Sequence, residues 1–180
     1  MPSATTHDRI ALIAAAALTV PTYVILHSGF QQDPTTAYQG TLLVIGSHLV
    51  GSWWLSPDLD IDGSIDDRWG PLRPIWLPYM KLVPHRHFVS HSGISGLFRL
   101  IYLLLMIAGL LFLISMAGML VGARLSYHTM FFDWLWDAFQ NQSSPLILLM
   151  VGVVISDIIH VAADLIDTRR KRMFRGGRRR

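Results

Sequence analysis

The sequence contains no cysteine and no glutamate. Without cysteine there are no disulfides, thiolate zinc sites or iron–sulfur clusters, so any metal must be held by His, Asp, carbonyl oxygens or water. All twelve acids are Asp, and charged residues make up only 15% of the chain, against about 25% in a soluble domain. Hydrophobic residues reach 52% of the 180. That balance excludes intrinsic disorder, which needs low hydrophobicity and high charge, and argues against a water-soluble globule. The length suits one domain, too little for two independent cores. No internal repeat is visible.

What is present falls into four long apolar segments, at 10–27, 38–55, 97–121 and 145–166. A membrane-crossing helix needs roughly 17–25 apolar residues. The third segment meets this best, and the first two sit at the short limit. Four such blocks leave too little polar chain to cover them in water. The first segment is not a convincing signal peptide, because its small-residue stretch lies inside the apolar run. Fourteen of the fifteen bases fall on one side if all four segments cross, with Arg124 alone opposite. The positive-inside rule then makes both termini and the 56–96 loop cytoplasmic. Five of the nine prolines lie in 57–84 with Trp69 and Trp76. This predicts an irregular loop along the membrane surface, with no long helix. Residues 130–139 (MFFDWLWDAF) predict a short interfacial helix. The basic end of the chain, 169–180, is expected to lack structure and to serve as a topology signal and anionic-lipid contact rather than a nucleic-acid site.

Three clusters could carry chemistry. In the fourth segment Asp157, His160, Asp164 and Asp167 share one helix face, and His160 and Asp164, four apart, can point at a common ion. The same stripe also suits hydrogen bonding to neighbouring helices. The run PHRHFVSHSG places His85, His87 and His91 just before the third segment, as metal ligands or as interfacial or pH-sensing histidines. The run SPDLDIDGSIDD offers Asp58 and Asp60 among five Asp, and carboxylates are hard oxygen ligands. It opens like an EF-hand loop, but Trp69 stands where the bidentate Glu is required, which rejects that reading. Under the expected topology, His7, Asp58, Asp60, His85, His91, His160 and Asp164 all reach the cytoplasmic face. His48 lies about 10 Å deeper at ~1.5 Å per residue. It could be a deep ligand, a donor behind one, or a helix-packing residue.

The order of THDR, SPDLDIDGS, PHRHFVSHSG and a late H-x3-D resembles small integral membrane proteins described as metal-binding and common in cyanobacteria. More distantly it resembles the YdjM-like membrane-bound metal-dependent hydrolases, with their N-terminal His, PDxD, HRxxTHS and HxxxD steps. The resemblance covers residues 5–167 and implies His7, Asp58, Asp60, His85, His91, His160 and Asp164 as the metal set. Arg86 occupies the family's position after the first loop His. The span from His85 to His91 is one residue longer than in the YdjM-like pattern. That wider grouping is linked to all-helical zinc phospholipases and nucleases, an analogy of fold rather than of activity.

These readings predict an all-α, four-transmembrane-helix bundle over 1–168 in the cell inner or thylakoid membrane. Its expected cofactor is a divalent metal, zinc first, with Mn or Fe as alternatives. The expected activity is metal-dependent hydrolysis of a phosphoester or lipid ester at the cytoplasmic face, with Arg86 neutralising a phosphate. The alternative is a non-catalytic accessory or assembly factor with a structural metal. Expected partners are membrane lipids, such a substrate, and a membrane protein complex. Transport fits less well, since a path would need polar groups through the bilayer.

Overall fold

The computed structural model describes residues 3–84 and 87–177, and among them there is no strand. Helix α1 spans Ala4–Val24, capped by Ser3 and continued by a π-helical turn, Ile25–Gly29. Helix α2 spans Pro34–Trp53. Asp33 caps it, its carboxylate accepting from the Thr35 and Thr36 amides at 3.0 and 3.1 Å, while Pro34 sits where a missing N–H costs nothing. Two 3-10 segments, Pro57–Asp60 and Asp66–Trp76, lead into α3, Leu77–Leu82. Helix α4 is the single turn Phe88–His91. Helices α5, Ser95–Leu120, α6, Tyr127–Asn141, and α7, Ser143–Gly177, complete the chain.

Among the described residues, three helical stretches are long and apolar enough to cross a membrane: Ala4–Gly29, Ser95–Leu120 and Ser143–Met173. Helix α2, the second apolar segment of the sequence, is not among them. Its Thr, Gly, Ser and His residues lower its apolarity, and the same residues face its neighbours. Ala37, Gly40, Thr41, Val44, Ser47, His48 and Gly51 are its buried positions, a stripe at helical spacing. It lies between α1 and α7. Gly40 meets Leu26 of the α1 extension and Leu148 of α7, while Gly51 meets Ser156 and Val153. The sense of these pairs makes α2 antiparallel to α1 and parallel to α7. Small residues let helix backbones approach closely, which is what holds helices together where lipid competes with every apolar contact.

Two expectations change. The 57–84 region is not a loose surface loop. Leu55, Leu59, Ile65, Trp76 and Tyr79 form a buried core there, flanked by Trp69 and Tyr102. Trp76 is fully buried, and the Tyr102 hydroxyl on α5 donates to the Ile75 carbonyl at 2.5 Å. Prolines forbid a long helix, but the aromatics pack on one another and cap the bundle. Gly70, at φ 51°, supplies the left-handed turn between Trp69 and Pro71. The final helix also continues to Gly177, into the stretch expected to lack structure. Lys and Arg are good helix formers, and Asp167 pairs with Lys171 one turn on at 2.6 Å. The short helix expected at 130–139 is present as α6, with Trp134 and Trp136 exposed.

The α2–α7 seam gives a direct test. A Cβ on Gly152 would overlap both Ser47 Oγ and the Val44 carbonyl oxygen, a backbone atom that cannot rotate away. We expect Gly152→Ala to cost about 1–3 kcal/mol, as overpacking does, seen as a lower thermal midpoint in detergent. Gly109→Ala, whose Cβ would meet nothing within 4 Å, should leave the midpoint unchanged or slightly raised.

Candidate metal centre

Four chain segments deliver ligand-type side chains to one end of the bundle. His7 lies in the first turn of α1, Asp58 in the 3-10 turn after α2, His91 at the end of α4, and His160 and Asp164 one turn apart on α7. His7 Nε2 is 3.4 Å from Asp164 Oδ1. His91 Nε2 is 3.7 Å from Asp58 Oδ1. His160 Nε2 is 3.7 Å from Asp58 Oδ2 and 3.9 Å from Asp164 Oδ2. The rings of His7 and His160 stack at 4.0 Å, with 12° between their planes. Ligand atoms of His7, Asp58 and His160, and of His91, His160 and Asp164, form two sets that share His160, each within 4.8 Å.

These separations are mostly too long for hydrogen bonds. His7 Nε2, Asp58 Oδ1, His160 Nε2 and Asp164 Oδ1 are buried and have no hydrogen-bond partner. Buried polar atoms are normally satisfied, so four unsatisfied ones within two overlapping ligand sets need another explanation. Ligands about 2.0–2.2 Å from a tetrahedral ion stand roughly 3.3–3.6 Å from each other, close to the spacing found here. The residues therefore fit a divalent ion, and imidazole with carboxylate suits zinc, manganese or ferrous iron.

Asp60 has a different position. It is 3.4 Å from His91 Nδ1, on the ring edge turned away from Asp58. Ser90 Oγ is 3.1 Å from the same nitrogen. A carboxylate behind a metal-facing histidine fixes the ring's tautomer and orientation. Burial alone would disfavour charge on His91, but Asp58 and Asp60 outweigh it and raise its pKa to about 9. Burial likewise pushes the Asp58 carboxyl upward, and the nearby imidazoles of His160 and His91 overcome it, holding Asp58 well below the usual carboxylate range.

His85 and Arg86 lie outside the described residues. His87 caps α4, its Nδ1 3.3 Å from the Val89 amide. His48 is fully buried between α1 and α2, its Nε2 3.1 Å from the Ala11 carbonyl. It belongs to neither convergent set.

The residue that sequence reasoning passed over is Arg99, counted there only as a charge. Arg99 and Asp157 are both 0% exposed. Arg99 Nη2 donates to Asp157 Oδ1 at 2.5 Å, Nε to the Leu55 carbonyl at 2.7 Å, and Nη1 to the Ser90 carbonyl and Ser95 Oγ, each at 3.0 Å. The second Asp157 oxygen accepts from Ser95 Oγ at 2.9 Å and from the Gly96 amide. Leu55 leads into Asp58, Ser90 precedes His91, and Asp157 is one turn before His160. One guanidinium thus ties together three of the segments that carry the cluster. A lone base in one apolar helix and an acid within another were the available signal, since such groups pair inside membranes.

Removing this pair's cation should be costly twice. Arg99→Met should lower stability by about 3–5 kcal/mol, the usual effect of stranding a buried charge. Arg99→Lys keeps the charge but not the planar fork. It should weaken zinc binding about 10–100-fold, as lost orienting contacts do, with a smaller shift in thermal midpoint. Calorimetric titration of both variants checks this. Unchanged affinity in the lysine variant would separate the clamp from the cluster.

No curated protein and no solved structure matches the chain. The family described as "Uncharacterized metal-binding protein (DUF2227)" matches residues 2–174. That is nearly the whole length, and the chain belongs to this metal-binding family.

Proposed function

We propose that this is an integral membrane, metal-dependent hydrolase of phosphoesters or lipid esters, with zinc held by His7, Asp58, His91, His160 and Asp164 at the cytoplasmic face. The observation that carries the metal is the convergence of buried, unsatisfied His and Asp atoms from three chain segments, with His91 of a fourth segment beside them. Hydrolysis draws further support from the sequence's resemblance to the YdjM-like enzymes.

Chain direction supports a reading with four crossings. Helices α1 and α5 both begin at the metal end, and α7 has its late turns there. Once α1 has crossed, the chain would have to return before α5 can start, and among the described residues α2 is the one long helix between them. Its 20 residues span about 30 Å at ~1.5 Å each, the thickness of the hydrocarbon core. The surrounding helices shield its polar stripe, so it needs less apolarity than a helix facing lipid. The bias of the bases then puts the metal end and both termini in the cytoplasm.

A bound divalent ion would supply Lewis-acid charge to a phosphoryl or acyl oxygen. Asp60 and Ser90 would hold the His91 ring in place. Asp58 and Asp164, each with two oxygens, could divide them between the ion and a proton of the attacking water. Arg86 would neutralise a phosphate as it does in the sequence expectation. A second reading, a structural ion in an accessory or assembly factor, is favoured by one observation. The clamp at Arg99 and the cluster join the same segments, as a purely structural ion would.

Purified protein should carry about one or two equivalents of zinc or a similar ion, the range five such ligands can hold, measured by elemental analysis. His160→Ala and Asp58→Ala should lose most of it, while His48→Ala should keep it. Unchanged content in the first two would reject the shared centre. The holoprotein should also hydrolyse a phosphoester or lipid ester in a substrate screen, and lose that activity with chelation. Loss of thermal stability on chelation with no hydrolysis of any substrate would favour the accessory role. A reporter active only outside the cytoplasm, fused after Arg180, should stay silent.

A further inference from the structure

The surroundings of the cluster are lopsided. On the side of His7 and His160, toward Ser52 and Ser156, only a cavity of about 10 Å³ remains. On the opposite side a pocket of about 250 Å³ is lined by His91, Val161, Asp164, Leu165 and Thr168. Two of these are cluster residues, and the rest form one face of α7. Leu165 is 56% exposed and Ile166 and Ile158 beside it are also exposed. All lie within the Ser143–Met173 stretch that is apolar enough to cross a membrane. The pocket therefore has a polar floor at the cluster and an apolar wall that runs out onto the lipid-facing surface of the same helix.

We propose that this pocket is the mouth through which a membrane amphiphile with an anionic phosphate headgroup reaches the metal centre. The proposal rests on the metal reading above and names the class of ligand and its route. A phosphate oxygen complements a cation held by His91 and Asp164, and Val161 and Leu165 give an alkyl chain somewhere to lie. The volume fixes how much enters. Clefts that enclose a drug-sized ligand hold roughly 300–1,000 Å³, so this one admits the headgroup and first carbons and leaves the chain in the bilayer. A larger groove of about 620 Å³ between α1 and α7 contains none of the five cluster residues, and so offers no route to the ion.

The test uses full-length protein in dodecyl maltoside, loaded with Co²⁺, whose visible absorption reports its ligands. Decyl phosphate and methyl phosphate are titrated separately, the second standing for a soluble phosphate. We expect decyl phosphate to alter the spectrum at a concentration about tenfold lower or more, the effect of burying roughly two methylenes. Leu165→Trp and, independently, Val161→Phe should remove that preference while Co²⁺ stoichiometry stays unchanged. Leu110→Trp, on exposed surface of α5, should keep it and so controls for partition into the micelle. An equal response to both phosphates, or a preference that survives both pocket variants, would overturn the proposal and leave the metal reading intact. Failure to take up Co²⁺ would overturn the metal reading itself, and the proposal with it.

Discussion

The interaction on which the rest depends is the ion pair of Arg99 and Asp157, two charges with no exposed surface among apolar helices. Taking both out of water is expensive, and their attraction offsets this only when the remaining donors and acceptors are also satisfied. Here both carboxylate oxygens are hydrogen-bonded, and the guanidinium reaches two carbonyls and a hydroxyl besides its partner. The two carbonyls belong to backbone outside the long helices, just after α2 and in the single turn α4. Such backbone is tolerated near a membrane only where it is buried in protein and its polar groups are met. Arg99 meets them, and in doing so fixes the two segments that bring Asp58 and His91 to α7.

The second constraint is the close contact of α2 with α7. Gly152 against Ser47 and Gly51 against Ser156 set the spacing and the parallel register of these helices. Because Asp58 follows α2 by a few residues, that register also sets the height at which Asp58 meets His160. A slide of one helical turn, about 5.4 Å, would carry Asp58 beyond any shared centre. The small residues that make α2 less apolar than a lone membrane helix are thus the ones that align the site.

The sequence shows the site's members more clearly than their roles. Helical spacing puts His160 and Asp164 on one face, and the charge bias assigns their end of α7 to the same side as His7, Asp58 and His91. Convergence was legible because topology alone limits which clusters can meet. Which ring nitrogen faces the centre was not, so Asp60, which sits behind His91 rather than across from it, could not be told from Asp58. His48 has a ligand's chemistry, yet its position on the α1 side of α2 turns it to the Ala11 carbonyl. The aromatic-rich 57–84 region was legible as non-helical, but aromatic residues there can face lipid or one another. Only tertiary packing shows that Trp76 and Tyr79 build a core. Arg99 needed a partner from another helix before its meaning could emerge.

The same packing bears on what an ion at this centre could do. Passage across the membrane would require a polar path from the cluster down the bundle axis. Directly below His7 and His160 the space shrinks to about 10 Å³, no more than a single water's room. Deeper still, glycine and serine bring α2 and α7 into contact, and the nearby charges of Arg99 and Asp157 are spent on each other and on the backbone. An ion here would be stopped from beneath by close packing. On the side of His91 and Asp164 it would face a wider pocket beside the exposed apolar residues of α7. That asymmetry suits chemistry on molecules that come to the ion better than it suits moving the ion.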